Sequence, residues 1–156
     1  MQIHLIAVGT RMPPWVTQGY DEYAQRVRGS CRLVLREIAA GKRAKGADLG
    51  QIQKDEGGRC LAAVPAGSRV IALERIGQMR TTEQLAVAMQ GWMGEGRDCA
   101  FLIGGPEGLA GACLEQAHEV WSLSALTLPH PLVRVILAEQ LYRAWSILNH
   151  LPYHRP

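Results

Sequence analysis

The sequence predicts an α/β fold with a mainly parallel β-sheet. Short apolar segments typical of buried strands alternate along the chain with longer segments of helical spacing. The 156 residues, 47% of them hydrophobic and 20% charged, suit one globular unit with its own core. No internal repeat, low-complexity segment or linker divides the chain. We therefore expect a single domain over residues 1–156.

The first half of the chain predicts two strands and two helices. Ile3–Val8 is an apolar run stopped by a glycine, which is typical of a buried strand. Trp15–Val27 follows a proline pair suited to a helix start and has apolar residues at helical spacing. Cys31–Ile38 alternates polar and apolar residues, which indicates a strand with one wetter face. The segment AGKRAKGA, residues 40–47, predicts a mobile basic loop, and Ala47–Ala63 suits a helix.

The second half continues the alternation. Arg69–Leu73 predicts a third strand, and a helix with an apolar face opens at the threonine pair 81–82 and runs through Met93. Cys99–Ile103 predicts a fourth strand that enters a glycine-rich loop. Gly111–Glu119 predicts a short helix. Ser122–Leu128 predicts extended chain, because it is too short and too rich in serine and threonine for an ordinary helix.

The last helix starts near Pro131, a good first-turn residue, and runs through Leu148. Its apolar positions cover more than one face, so we expect burial by its own core and by a partner subunit. A central core helix in a monomer is the alternative. The charged residues on this helix need partners or a ligand if they are buried: Arg134, Glu139 and Arg143.

Composition restricts the partners. The net charge of +3 and pI near 8.8 permit a nucleic-acid partner without requiring one. The four cysteines form no CxxC pair, so we expect no metal site. Without a signal peptide they are interpreted as reduced thiols of a cytoplasmic protein. No run of about 18 apolar residues occurs, so we expect no membrane span.

The segment from Phe101 to Pro131 is the main candidate for a ligand site. Its glycine-rich loop 104–108 and the Leu123–Leu128 segment both offer bare backbone groups beside apolar side chains. Such a lining suits a flat heteroaromatic ligand with polar edges. Leu73, Gly104 and Leu123–Leu128 all lie at or just after predicted strand ends, where parallel sheets bind ligands. We therefore expect one pocket lined by all three.

Known sequence motifs limit the ligands and reactions that this chain can be expected to support. Loop 104–108 matches neither GxGxxG nor GxxxxGK[ST], so a dinucleotide or triphosphate site is poorly supported, and a plain strand-to-helix turn is the alternative to ligand binding. HExxH, GxSxG and paired acidic or His/Asp clusters are also absent. We expect no hydrolytic nucleophile.

Three basic or aromatic features each have two interpretations. Lys42, Arg43 and Lys45 lie either in a solvated loop or in an arm that contacts nucleic-acid phosphates. The terminal residues 152–155 form either a frayed end or an RNA-binding mixture of aromatic, imidazole and guanidinium groups. His130, between two prolines, is either structural or a chemical group held beside the pocket.

Several motifs, in order, resemble one family. They are LIGGPEGL at 102–109, SLSALTLPHPLVRV at 122–135, EQLYRAWSI at 139–147 and the closing PYHR, joined by VGTRMPPWVTQGYDEYAQR and AGKRAKGAD nearer the start. Together they resemble the RlmH family of small SPOUT-class methyltransferases, which methylate N3 of a pseudouridine in 23S ribosomal RNA. The resemblance spans nearly the whole chain, is closest after residue 100 and is looser over residues 48–98.

The resemblance implies an α/β fold with a C-terminal trefoil knot, which pattern reasoning alone would exclude as too rare. It implies that S-adenosylmethionine is held in the knot and contacted by Leu73, Gly104 and the loop residues Leu123, Ser124, Ala125, Leu126, Thr127 and Leu128. It also implies a homodimer with the last helix at the interface. The tail of one subunit, with Tyr153, His154 and Arg155, would help complete the partner's site.

Site chemistry follows from the resemblance as an expectation. His154 and Arg155 are the candidates for substrate charge and placement, and His130 is a weaker candidate for proton handling. The assembled ribosome is the expected docking surface, because the chain is small and has no separate RNA-binding domain. Two alternatives stay open: a SPOUT methyltransferase with another RNA target, and a non-catalytic RNA- or ribosome-binding protein that has kept the fold.

Overall fold

A computed structural model describes all 156 residues and contains five strands that alternate with five helices. The strands are β1 Gln2–Val8, β2 Arg32–Ile38, β3 Arg69–Met79, β4 Cys99–Ile103 and β5 Glu119–Ser122. The helices are α1 Pro14–Ala24, α2 Leu49–Ala62, α3 Thr82–Glu95, α4 Gly111–Gln116 and α5 His130–Leu148. None of the helices has the length and apolar character needed to cross a membrane.

The strands form one sheet in the order β2-β1-β4-β3-β5, and every neighbouring pair is parallel. The predicted α/β class is therefore confirmed. Because all strands point the same way, their carboxyl ends meet at one edge of the sheet. The loops that follow them share that edge, which is where ligands of open parallel sheets bind.

The alternation of side chains along β1 divides the core into two layers. Ile3 and Leu5 join a cluster with residues of α1, α3 and α5 on one face of the sheet. Ile6 and Val8 join a second cluster with residues of α2 and α4 on the other face. Both faces of the sheet are thus covered, as expected for strands that read as nearly continuous apolar runs.

Helix starts follow the sequence signals. Pro14 occupies the first turn of α1. Thr81 caps α3: its hydroxyl accepts from the Gln84 amide at 3.1 Å, and the Gln84 side chain accepts from the Thr81 amide at 2.9 Å. This reciprocal capping box satisfies two donors that the first helical turn leaves unpaired.

The structure differs from the sequence prediction between β3 and α5. β3 continues to Met79, with a shift of register against β5 between Leu73 and Gln78. Glu119–Ser122 is strand β5, although Glu119 was predicted to be helical. Residues 123–128 were predicted to be extended but form an irregular loop. The short β5 pairs with β3 alone, and this long-range pairing decides a conformation that its own residues do not specify.

Charged residues on α5 find partners within the chain. Arg134 is 1% exposed and pairs with Glu37 on β2 at 2.8 Å, so its buried charge has an acidic partner. Arg143 pairs with Glu139 at 2.6 Å, and the Tyr153 hydroxyl donates to the same carboxylate at 3.0 Å. The ring of Tyr153 lies 4.5 Å from that of Tyr142, so the tail packs on α5 rather than fraying up to this residue.

Candidate functional site

A cavity of about 570 Å³ opens at the carboxyl edge of the sheet. Three segments form its walls: the middle of β3, the glycine-rich loop after β4, and the loop that leads into α5. Its lining residues are Leu73, Glu74, Arg75, Ile103, Gly104, Gly105, Pro106, Glu107, Gly108, Leu123, Ser124, Leu126, Thr127, Leu128, Pro129, His130, Pro131 and Val133. The single pocket expected from the strand ends is present.

The glycine-rich loop turns back on itself over four residues. The Gly108 amide donates to the Gly105 carbonyl at 2.9 Å, with Pro106 and Glu107 at the tip of the turn. Gly108 has φ +82°, a conformation that L side chains rarely adopt. At Gly104, a Cβ would lie 2.4 Å from the Gly108 carbonyl carbon. Only glycine fits there, and the loop therefore presents main chain rather than side chains to the cavity.

Three side chains brace this loop from α2 and the preceding loop. Arg43 donates to both carboxylate oxygens of Glu56 at 2.9 Å and to Glu107 at 2.6 Å. The Gln53 amide donates to the carbonyls of Glu107 at 2.9 Å, Leu109 at 3.2 Å and Gly108 at 3.3 Å. We call Arg43, Gln53 and Glu56 the loop clamp. It fixes the backbone that forms one wall of the cavity.

The clamp corrects one interpretation of the basic loop. The Arg43 side chain is 22% exposed, but its guanidinium is already paired because it bridges two carboxylates. Its hydrogen bonds lower the pKa of Glu107. Lys42 and Lys45 are exposed, so for them both interpretations stay open. Sequence spacing separates Arg43 from Glu107 by 64 residues, and only the fold brings them together.

The loop at 123–128 forms the opposite wall. Ser124 organises it: its hydroxyl accepts from the Leu126 amide at 3.0 Å, and its carbonyl accepts from the Ser122 hydroxyl at 2.9 Å. Leu123, Leu126, Thr127 and Leu128 line the cavity with it. Ala125 is exposed and does not line the cavity, so its predicted contact stays a prediction.

His130 begins α5 at the edge of the cavity. Burial is the largest cause of its lowered pKa, and the nearby charges of Arg134 and Arg43 add to the effect. The imidazole is therefore neutral near pH 7. Its Nδ1 is buried without a hydrogen-bond partner. A neutral, partly buried imidazole facing a cavity can accept a proton.

The predicted tail residues do not line the cavity of their own chain. His154 contacts Glu83 at the start of α3, at 3.0 Å. Arg155 is exposed, and its side chain has no ion pair within the chain. Leu73, Gly104 and His130 are thus brought together, while the two tail residues are left apart from them.

Sequence reasoning missed three contributors to the site. Glu74 and Arg75 line the cavity because β3 continues beyond Leu73, and Arg75 is exposed at its rim. Glu56 is buried on α2 among Gly57 and Cys60. A carboxylate on the apolar face of a helix was the available signal, since such a group needs a charged partner.

The fold and the cavity define a class of protein before any comparison. Parallel strands end in loops that offer backbone groups to a small ligand, as in many open α/β proteins. No group of three or more His, Cys, Asp or Glu residues is placed to hold a metal ion. Such a site is suited to position a ligand that carries its own reactivity.

Comparisons with known proteins agree with this class. A model of the family described as "Predicted SPOUT methyltransferase" matches residues 1–154. The "Ribosomal RNA large subunit methyltransferase H" of Methylococcus capsulatus is 54% identical over 155 residues, which cover 99% of this chain and 100% of that protein. The chain belongs to the SPOUT methyltransferase family. The resemblance stated from the sequence motifs is confirmed.

Solved structures share the fold at low identity. A probable methyltransferase from Bordetella pertussis Tohama I is 17% identical with a TM-score of 0.56, over 92% of this chain and 95% of that one. A probable methylase family protein from Haemophilus influenzae Rd KW20 is 15% identical with a TM-score of 0.54, over 96% of this chain and 66% of that one. At such identities the likeness concerns the fold alone.

Proposed function

We propose that this protein transfers a methyl group from S-adenosylmethionine to N3 of a pseudouridine in 23S ribosomal RNA, in the cytoplasm. The observation that carries the proposal is the cavity itself. It collects Leu73, Gly104 and five of the six residues of the 123–128 loop, in a chain 54% identical to a ribosomal RNA large subunit methyltransferase.

The cavity fits S-adenosylmethionine in size and lining. Its volume of about 570 Å³ lies within the range of roughly 300–1,000 Å³ of small-molecule sites. The main chain at Gly104–Gly108 and Leu123–Leu128 offers donors and acceptors to the edges of an adenine. Leu73 and Val133 offer apolar contact, and Glu74 offers a carboxylate to the ligand's positive charge. When bound, the ligand supplies an electrophilic methyl group.

The chain's own residues then have two tasks. The first is placement, because holding methyl group and nitrogen in line can lower the barrier by several kcal/mol, on the order of 7–11 for well-oriented groups. The second is removal of the imide proton from N3. We assign that removal to His130, whose lowered pKa keeps its imidazole neutral at the edge of the cavity. A cation beside the resulting anion stabilises it, and we assign that role to Arg155. We assign to His154 a part in positioning the pseudouridine.

Two copies of the chain would complete one site. Arg155 is exposed and lies outside the cavity of its own chain, which fits a tail that reaches the partner's cavity. Helix α5 carries the partly exposed apolar residues Leu132 and Ile136, which suit a homodimer interface. A C-terminal trefoil knot and docking on the assembled ribosome are further parts of this proposal.

The test uses S-adenosylmethionine with a labelled methyl group, incubated with the protein and large ribosomal subunits that lack the modification. The proposal predicts label on N3 of one 23S pseudouridine, located by mass spectrometry of nuclease fragments. Label on another RNA would assign the protein to a different target. No label together with no cofactor binding by calorimetry would favour a non-catalytic RNA-binding protein.

A further inference from the structure

Cations without acidic partners flank the cavity. Arg11, Lys42, Lys45 and Arg75 are exposed, and none takes part in an ion pair. By contrast, Arg43 lies between two carboxylates in the same region. Unpaired guanidinium and ammonium groups are free to take an external anion.

The topology places these four residues along one edge. Arg11 follows β1 by three residues, Lys42 and Lys45 lie between β2 and α2, and Arg75 lies where β3 forms the cavity wall. In the sheet order β2-β1-β4-β3, they lie on both sides of the glycine-rich loop that follows β4. Adjacent strands are about 4.8 Å apart, so the row from β2 to β3 spans roughly 14 Å.

A row of this length fits a nucleic-acid backbone. At about 3.4 Å of rise per nucleotide in a duplex strand, roughly 14 Å corresponds to about four nucleotide steps. The target base must leave its stack to enter a cavity, so the strand on both sides of that base needs its own contacts.

We propose that Arg11, Lys42, Lys45 and Arg75 form a phosphate-binding row that holds the RNA strand on both sides of the base to be methylated. This inference rests on the proposed function and adds the surface that meets the RNA. The row contacts backbone phosphates and so contributes affinity rather than sequence selection, which is left to the cavity and the tail. Arg43 takes no part, because it belongs to the loop clamp.

The test measures binding to large ribosomal subunits at several salt concentrations. Arg11→Gln/Arg75→Gln, Lys42→Gln/Lys45→Gln and the fourfold variant are compared with wild type. Each lost phosphate contact lowers the slope of log K against log[salt] by about 0.7 for a single strand, so the fourfold variant is expected to lose about 3. The matched control is Arg28→Gln/Arg32→Gln, which removes two exposed cations near the amino end of β2, at the opposite edge of the sheet.

The outcomes separate the row from the proposed function. The inference holds if the fourfold variant loses slope, the control does not, and Lys42→Gln/Lys45→Gln keeps its affinity for S-adenosylmethionine. An unchanged slope in the fourfold variant, in an enzyme that still methylates the subunits, overturns the row alone. An equal loss of slope in the control also overturns the phosphate-binding row, since any surface cation would then contribute equally to RNA binding. A wild-type protein that binds S-adenosylmethionine but neither binds nor methylates the subunits overturns both.

Discussion

Removal of the Arg43 side chain is expected to weaken both the fold and the cofactor site. In Arg43→Ala, Glu56 loses two hydrogen bonds of 2.9 Å, and its side chain is only 3% exposed in the wild-type protein. Breaking a buried ion pair by removing one partner costs about 3–5 kcal/mol, because the remaining charge is left uncompensated. The pair with Glu107 adds less, about 0.2–1 kcal/mol, because that side chain is 26% exposed.

Urea unfolding and calorimetry with S-adenosylmethionine measure the two effects. A loss of about 3 kcal/mol is a large share of the roughly 5–15 kcal/mol that stabilises a typical domain. Cofactor affinity should fall as well, because Glu107 and the loop backbone lose their brace. The matched control is Arg59→Ala on α2, whose guanidinium donates to the Ala39 carbonyl and braces no part of the cavity. It should retain cofactor affinity and lose about 1 kcal/mol.

A second variant separates the buried charge from the brace. Arg43→Met/Glu56→Leu removes both charges and should recover stability relative to Arg43→Ala, because apolar replacement of a buried ion pair is often neutral. Cofactor affinity should stay low, since Glu107 is still unbraced. An Arg43→Ala protein with wild-type stability would refute the energetic reasoning. Low stability with unchanged affinity for S-adenosylmethionine would refute the conclusion that the loop clamp supports the cofactor site.

Three further predictions concern single positions. Gly104→Ala places a Cβ against the Gly108 backbone, so it should lower stability by about 1–3 kcal/mol and abolish measurable cofactor binding. Gly111→Ala has open space around its Cβ and should change neither quantity. The same calorimetric and unfolding assays measure both variants. Burial holds the pKa of His4 below its ordinary value of about 6.5, partly opposed by Asp98 at 3.5 Å. The unfolded state thus binds more protons, and stability should fall as pH drops below about 6.5; His4→Leu should reduce this fall in unfolding curves, and an equal fall in both proteins would argue against it. Arg155→Ala should lower methyl transfer at least tenfold with stability within about 0.5 kcal/mol of wild type, and normal single-turnover rates would remove Arg155 from the site.

The strongest elements could be predicted because their signals are local. The apolar run at residues 3–8 corresponds to β1, and the run Cys99–Ile103 is β4 with the predicted bounds. Parallel strands then place the loops after β3 and β4 at one edge. This is why the sequence alone assigns Leu73 and Gly104 to one cavity.

The remaining features depend on contacts between distant segments. β3 turns polar at Glu74 and Arg75, in the middle of the strand, so nothing in its pattern predicts that it continues past Leu73 to Met79. β5 has four residues and exists through its pairing with β3. The role of Arg43 needs Glu56 and Glu107, two carboxylates from different elements. Contacts between residues far apart in the sequence produce no periodic pattern, so the sequence pattern does not predict them.

We propose that the cavity of one subunit and the tail of its partner form one methyl-transfer site, and mixed dimers test this arrangement directly. Chains with Gly104→Ala and chains with Arg155→Ala would be co-expressed, and methyl transfer to large subunits would be measured against each variant alone. Random pairing gives about half mixed dimers, each with one intact cavity facing one intact tail. The mixture should therefore regain about a quarter of wild-type activity from two parents that are nearly inactive. Activity no higher than the average of the parents would contradict a shared site.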